Sequence, residues 1–434
     1  MKKTKKVLGI TLIIALMATM AMTFAACGSD DVELVFAWWG GDMRAEQTNT
    51  VIDMFLAQND DVDYIEGLFT SFTDHWSDMA LSAAANDLPD IVQHDVAHLL
   101  SWVEAGHLLD LTPFINDNRI DMRNVPQSAV NTGRVPGHPG IYAIPTGMNV
   151  AAMLYNATLL ADLGLEAPRN MTLDQFITLS REIYARSGVR TNWAYNDPFN
   201  QMNVHLRSQG AALFRDGRLG GTIEQYEHFF NVIVQSIEEG WGLRPEHEAG
   251  REGSEQNPLW YPAGDDNANL RVWNSPVWSN MLNGYMNDSP DWMEIGMTTY
   301  PSINPQLGNF GRATMFLTIT THSDLQDEAA AFINFYMNTP AVHEVVMGDR
   351  GVVVNSVVAD AIAPILTVGS QRQAEFVDWI YTPGNSSPYD PLRPAGHNQL
   401  LDYLRLIIED VTRLNITARE AAERFAAEGA RLFE

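Results

Sequence analysis

A strand-like run that stops at a glycine pair and resumes as a helix limits the possible folds of this chain more than any other feature. Glu33-Leu34-Val35-Phe36-Ala37-Trp38-Trp39 is apolar on both faces of an extended segment and ends at Gly40-Gly41. A strand that is apolar on both faces must be covered on both. From Met43 to Gln58 the period becomes helical, with Val51, Ile52, Phe55 and Leu56 on one side. Strand, glycine turn and helix in succession open an α/β fold.

The rhythm continues downstream. Ser77 to Asn86 reads as an alanine-rich helix, Asp90-Ile91-Val92-Gln93 as a short strand after Pro89, and Val96 to Ala105 as a helix ended by Gly106. Leu108 to Leu111 starts another unit. Alternation at this spacing predicts a mostly parallel sheet with helices on both faces. The pattern turns extended from Gly140 to Asn156 and helical again from Pro168 to Ala185. Arg244 to Asn269, rich in Gly, Pro, Asp and Asn, is too long for an ordinary connection and reads as a surface excursion or a cleft wall. Ile295 to Tyr300 and Ala313 to Thr320 are expected strands, and Asp327 to Met337 a helix. Leu400 to Phe433 is helical, with Thr417 and Glu420 at capping-box spacing. No internal repeat, heptad array or low-complexity tract interrupts the 434 residues.

Upstream of the first strand lies an export signal. Lys2, Lys3, Lys5 and Lys6 form a positive region, Val7 to Phe24 an apolar one, and Ala25-Ala26 the small residues a peptidase needs. An uncleaved anchor is the alternative for an apolar run of this length. Phe24-Ala25-Ala26-Cys27 resembles a bacterial lipobox, with Phe24 where leucine is usual, so residues 1–26 are expected to be removed. Cys27 is then the lipidated first residue and 27–32 a tether. Two acyl chains would hold the protein firmly to a membrane. Cys27 is also the chain's single cysteine. No disulfide can form within the remaining 408 residues, which must be held by their own core. All four lysines leave with the signal, so 23 arginines face 54 acids, a formal charge of −31. Such a field excludes nucleic acid as a general partner and opposes an anionic bilayer.

Several ordered blocks are similar to those of the extracellular solute-binding proteins that serve sugar-importing ABC transporters, the maltose- and multiple-sugar-binding lipoproteins. They are Leu34 to Gly41; Asn86-Asp87-Leu88-Pro89-Asp90-Ile91-Val92; Glu104 to Thr112; Gly140-Ile141-Tyr142-Ala143-Ile144-Pro145-Thr146; and Leu154-Tyr155-Asn156. Glu328 to Phe335, Gly348-Asp349-Arg350-Gly351-Val352 and Ile416 to Ala422 continue the order. The resemblance covers nearly the whole mature chain. It implies an α/β, two-lobe, periplasmic-binding-protein-like fold of type II, with mixed sheets flanked by helices and a ligand cleft between the lobes. One lobe would take residues 33–145 plus 304–340, the other 149–292 plus 346–434. Residues 146–148 and 298–301 would be the hinge strands. The implied function is capture of a carbohydrate outside the cytoplasm and its delivery to a permease.

Sugar recognition asks for flat aromatic faces and for side chains that pair hydroxyls, since each buried unpaired polar group costs about 1–3 kcal/mol. Of 11 tryptophans, most belong in the core. Those beside glycine turns or polar loops are the candidates: Trp39 next to Gly40, Trp273 and Trp278 with Asn280 in Trp273-Asn274-Ser275-Pro276-Val277-Trp278-Ser279-Asn280, and Trp193 and Trp241. Trp39 is favoured over Trp38 because it adjoins the turn, and neighbours in a strand face opposite ways. By resemblance, Gln93, His94 and Asp95 supply contacts after the strand that follows Pro89, and Asn149, Tyr155 and Arg350 join them. Arg350 serves equally well as a salt bridge.

Two enzymatic readings compete with this one. His94-Asp95-Val96-Ala97-His98 places histidines at i and i+4, as in zinc proteases, but with aspartate for the longer glutamate and no third ligand in sight. A glycosidase needs two carboxylates across a bond. Asp60-Asp61 and Asp265-Asp266 lie in polar stretches that suit solvated turns. The expectation is therefore no catalysis, no cofactor and no metal. The protein would be a monomeric lipid-anchored receptor whose partners are a sugar and permease subunits. The same fold tuned to glycerol phosphate, a polyamine or a metal ion is the alternative. Arg271 and Arg312 leave an acidic oligosaccharide open.

Overall fold

The structure is a computed structural model and describes residues 32–193, 195–215, 217–244, 246, 257–260, 270–387 and 392–433. The expected signal, Cys27 and most of the Arg244–Asn269 excursion lie outside the described residues. Among the described residues eleven strands run β1 Glu33–Trp39, β2 Tyr64–Thr70, β3 Ile91–His94, β4 Ile144–Pro145, β5 Met148–Asn156, β6 Phe214–Arg215, β7 Arg218–Leu219, β8 Asn274–Trp278, β9 Ile295–Thr298, β10 Gly311–Ala313 and β11 Phe316–Ile319.

Five strands make the first sheet, in the order β2-β1-β3-β11-β4. β1 is parallel to both β2 and β3, with Phe36 opposite Ile91 and Trp38 opposite Phe69. Its apolar residues serve both faces: Leu34, Phe36, Ala37 and Trp38 are all at most 2% exposed. Helices Asp42–Leu56 and Phe72–Ala85 follow β1 and β2, and Val96–Glu104 follows β3. β2 went unread in the sequence because Glu66 and Gly67 break its apolar run. Gly67 is needed there, since a Cβ would come within 2.5 Å of the Trp38 indole. β11 returns antiparallel between β3 and β4, with Phe316 opposite His94 on one side and Pro145 on the other. Leu108 contributes one bridge, to Thr320, instead of a strand.

The second sheet is built on β5. β8 pairs along one edge, with Ala151 opposite Trp278, while β10 and β9 share the other edge end to end. All these pairs are antiparallel, so the predicted mostly parallel architecture holds only for β1, β2 and β3. β5 is buried through Leu154, with Ala151 and Met153 facing one cluster and Val150 and Ala152 facing the helix Val368–Tyr381. The C-terminal pair of helices, His397–Thr412 and Ala418–Phe433, packs on the second lobe. Thr417 and Glu420 close the expected cap: each backbone N–H donates to the other's side chain, at 2.9 and 3.2 Å.

Two large apolar clusters define the two lobes. The first gathers residues from Leu34 to Met148, then Ala313 to Val354. The second gathers Ala151 to Phe310, then Leu400 to Phe425. The chain crosses between them in three places that touch. Thr146 N–H donates to Met315 O, Thr314 N–H to Gly147 O, and Met148 and Val352 exchange a backbone pair at 2.8 and 3.0 Å. Two expected boundaries therefore move. Tyr300 and Phe310 are buried in the second core, so the return crossing is at Ala313–Phe316 and not at 298–301. Val346 and Val354 pack in the first core, so the segment from 346 belongs there before the chain goes back.

Candidate functional site

Ligands of open α/β sheets bind beyond the carboxyl ends of parallel strands, where the chain switches sides. Here β1 is followed by β2 on one side and β3 on the other, so the switch lies between Trp39 and His94. Gly40 turns the chain at that point with φ +154, and a Cβ there would meet the Arg44 stem at 2.4 Å. Gln93 locks the two strand ends together by donating Nε2 to Trp39 O at 3.4 Å. Ser71 caps the helix beyond β2 by accepting from Asp74 N–H, and Asp95 caps the one beyond β3 by accepting from Ala97 N–H at 2.8 Å.

These caps aim the first turns of two helices into one aromatic group. Trp39 stands 5.3 Å from Phe72, 5.2 Å from His75 and 5.9 Å from Trp76, centroid to centroid. His98 lies flat on Trp76, at 3.8 Å and 13°, and the His94 ring is wedged between Trp76 and Trp102. Trp38 turns the other way, against Phe36 and Phe69. Phe72 is the group's open member at 46% exposure, whereas Trp39 supports it from beneath at 6%. Burial holds the imidazoles neutral: His94 is pushed down to about 3 and His75 to about 4. Burial lowers His98 as well. The His94 Nδ1 meets Asp95 O at 3.1 Å, and its Nε2 has no partner. His94 ends a strand and His98 sits in a helix, so the pair is not one helical face. Among the described residues no three His, Cys, Asp or Glu converge as metal ligands. Asp60 and Asp61 are exposed in a turn, and Asp265-Asp266 lies outside the described residues.

The second lobe supplies the facing wall. Arg393 stacks over Phe199 at 4.9 Å and donates to Asn200 Oδ1 at 3.0 Å. His397 is pushed down to about 4, first by burial and then by Arg393, with smaller effects from His98 and Asp95 of the first lobe. A polar track continues inward, as Asn200 donates to Asp197 and Tyr300 OH donates to the same carboxylate at 3.3 Å. At the crossing Arg312 lies 4.0 Å above the Trp278 ring.

The sequence candidates divide sharply. Trp39, Gly40, Gln93, His94 and Asp95 come together at the switch point, though Gln93 spends its Nε2 on a strand end and Asp95 one carboxylate oxygen on a helix cap. Trp278 stands at the crossing with one ring face covered by Arg312, and Asn280 follows in a half-buried turn. Asn149 is buried at the crossing, accepting from Ser279 at 3.4 Å and Gln373 at 3.5 Å. Trp193, Trp241 and Trp273 are core residues of the second lobe, at 4%, 1% and 0% exposure. Trp241 donates to Glu239 and Trp273 to Thr191. Tyr155 is seven residues beyond Met148, about 23 Å along β5, and faces Gly296. Arg350, 4% exposed, pairs with Asp349 and donates to Gln47 and Thr48, tying the crossing to the helix Asp42–Leu56. Sequence reading missed Phe72, His75 and Trp76, and met His98 only in the zinc-protease pattern. Three sit in Phe72-Thr73-Asp74-His75-Trp76, whose polar neighbours hid the aromatic spacing that a capped helix brings to one face.

A family model described as bacterial extracellular solute-binding protein matches residues 45–342. Among solved structures, a periplasmic solute binding protein of Pectobacterium atrosepticum superposes with a TM-score of 0.80 at 17% identity, covering 93% of this chain and 98% of that one. A periplasmic oligogalacturonide binding protein of Yersinia enterocolitica, in complex with saturated digalacturonic acid, gives 0.75 at 17%, with 93% and 99% covered. The GacH receptor of Streptomyces glaucescens gives 0.68 at 17%, with 93% and 98% covered. Similarity at this identity speaks to the fold, and it is the same two-lobe α/β fold throughout. With more than half its length matched by that model, the chain belongs to the family of bacterial extracellular solute-binding proteins.

Proposed function

We propose that the protein is the carbohydrate receptor of an ABC importer: it captures a saccharide between its lobes and presents it to the permease. The observation that carries this reading is the ring group at the switch point. Phe72, backed by Trp39 and Trp76, offers an apolar face beside polar side chains of the opposite wall, the combination a pyranose needs. Support comes from relatives of the fold: the Yersinia protein binds oligogalacturonide, the Streptomyces receptor is solved with acarbose, and a Listeria monocytogenes substrate-binding protein with cycloalternan. Lobe closure would make the surface the permease reads, since only a ligand that favours the closed state shifts that equilibrium. Cys27, acylated after removal of residues 1–26, would hold a monomer at the outer face of the cell membrane, because a surface with 54 acids does not adhere by itself.

A thermal-shift screen of the purified protein against mono- and oligosaccharides, glycerol phosphate, polyamines and divalent cations tests the reading, since a ligand raises the melting temperature by mass action. A shift confined to saccharides is expected. A shift with a polyamine, sugar-free phosphate ester or metal alone would overturn it.

A further inference from the structure

The group at the crossing is unusual in a chain of this charge. Arg312 belongs to a protein with 54 acids and 27 basic residues, yet among the described residues no carboxylate is within ion-pair distance of it. Its Nε is sealed from solvent without a hydrogen-bond partner. What holds it is the Trp278 indole, 4.0 Å from the guanidinium carbon. A guanidinium held over a ring face and without an acidic partner retains N–H donors, and the planar fork of such a group matches a carboxylate in two parallel hydrogen bonds. Asp197 acts on Tyr300 together with Arg312, but its carboxylate is occupied by the Asn200 backbone, the Asn200 side chain and Tyr300.

Position gives the fork its meaning. β10, which carries Arg312, is joined through Thr314-Met315 to Phe316, the register partner of His94. Four residues, with a bend at Thr314, put Arg312 at most about 13 Å from Phe316 and so close to the switch point. The face of β5 toward Val150 and Ala152 is covered by the helix Val368–Tyr381. Arg312 and Trp278 lie toward Phe310 and Tyr300 instead, where the polar track leads through Asp197 and Asn200 to Arg393. Arg190 and Arg271 also have buried Nε atoms without partners. They stand beyond the far end of β8, where Asn274 is opposite Tyr155, and so away from the crossing.

Resting on the carbohydrate reading above, we infer that the ligand is an anionic saccharide whose carboxylate is forked by Arg312 while a sugar ring rests on Phe72. The guanidinium supplies the specificity for uronic over neutral sugars.

Calorimetric titration with digalacturonate, the neutral disaccharide of the same linkage, and a sugar phosphate tests this. Digalacturonate is expected to bind about 30-fold more tightly than the neutral disaccharide, the size of loss seen when a buried charge pair is broken. Arg312→Gln should lose that factor for digalacturonate and weaken the neutral disaccharide by a much smaller factor, so that the preference between the two disappears. Arg312→Lys should recover only part of it, because an ammonium keeps the charge but not the fork. The melting temperature of each ligand-free variant separates lost affinity from lost fold, and if Arg312→Gln does not fold, Arg312→Lys decides. Equal or tighter binding of the neutral sugar, or unchanged digalacturonate binding in the folded variants, would overturn the inference and leave the carbohydrate reading intact. Tighter binding of the sugar phosphate would overturn the carboxylate assignment. Binding of no saccharide at all would overturn both.

Discussion

At the residue scale, the exposed and the buried members of the aromatic group are expected to behave differently. Phe72 is 46% exposed, so Phe72→Ala should cost under about 1 kcal/mol of folded stability. The same change removes the open platform and should weaken saccharide binding about tenfold. Calorimetry beside a thermal melt reads both, and a large stability loss with unchanged affinity would contradict the assignment. The neutral histidines make a second prediction. His94 and His75 have folded values near 3 and 4, below the ordinary 6.5, so the folded state refuses protons that the unfolded chain takes up. Their stabilising contribution is whole above about pH 6.5 and is lost as pH falls from there toward their folded values, at up to about 1.4 kcal/mol per pH unit for each. Urea midpoints at about pH 7.5 and about pH 5 should show that decline, and His94→Gln should flatten it. Parallel declines in the two proteins would count against a buried neutral imidazole. The place of Trp39 and Gly40 at a strand end was legible in the sequence because a strand ending in a glycine turn announces itself, whereas His94 was named from the family resemblance. Trp193 and Trp241 misled for a physical reason: an indole beside glycine or asparagine can still fill a core if its N–H finds Glu239 or its ring meets Phe229.

At the scale of elements, strands and helices were mostly readable while their pairings were not. β9 and β10 both look like short extended runs, and both pair with the same edge of β5. Nothing in their composition says that Thr298 stays in the second lobe, donating to Pro168 O, while Ala313 leads back to the first. The crossing at 146–148 was expected from the family resemblance and not from the composition of the segment. Gly147 is required there by contact: a Cβ would stand 2.2 Å from Arg350 O, where the first and third crossings meet. Gly147→Ala should therefore push these two crossings apart, destabilise the protein by about 1–3 kcal/mol as overpacked sites do, and alter ligand affinity although no ligand touches it. Denaturant unfolding and calorimetry on the same variant check the pair of effects. Unchanged stability and unchanged affinity together would show that the crossings are not in firm contact.

For the whole molecule, the two cores and the three crossings between them explain why the proposed ligand site lies where it does. Each lobe is complete around its own apolar cluster, so its cleft face is free to carry groups that no core would accept: an exposed Phe72 on one wall, and arginines stacked on rings on the other. Fold class was legible from the first strand, turn and helix. Of the opposing wall only Trp278, Asn280 and Arg312 were read, because Asn200, Tyr300 and Arg393 join them from separate segments by pairings the sequence does not display. The central claim is that a saccharide is held between these walls, and the crystal structure of the protein with the sugar giving the largest thermal shift tests it most directly. The account predicts a sugar ring on Phe72 and a polar edge turned toward the Arg312–Arg393 side. A sugar bound on the outer surface of either lobe, with the cleft empty, would contradict it.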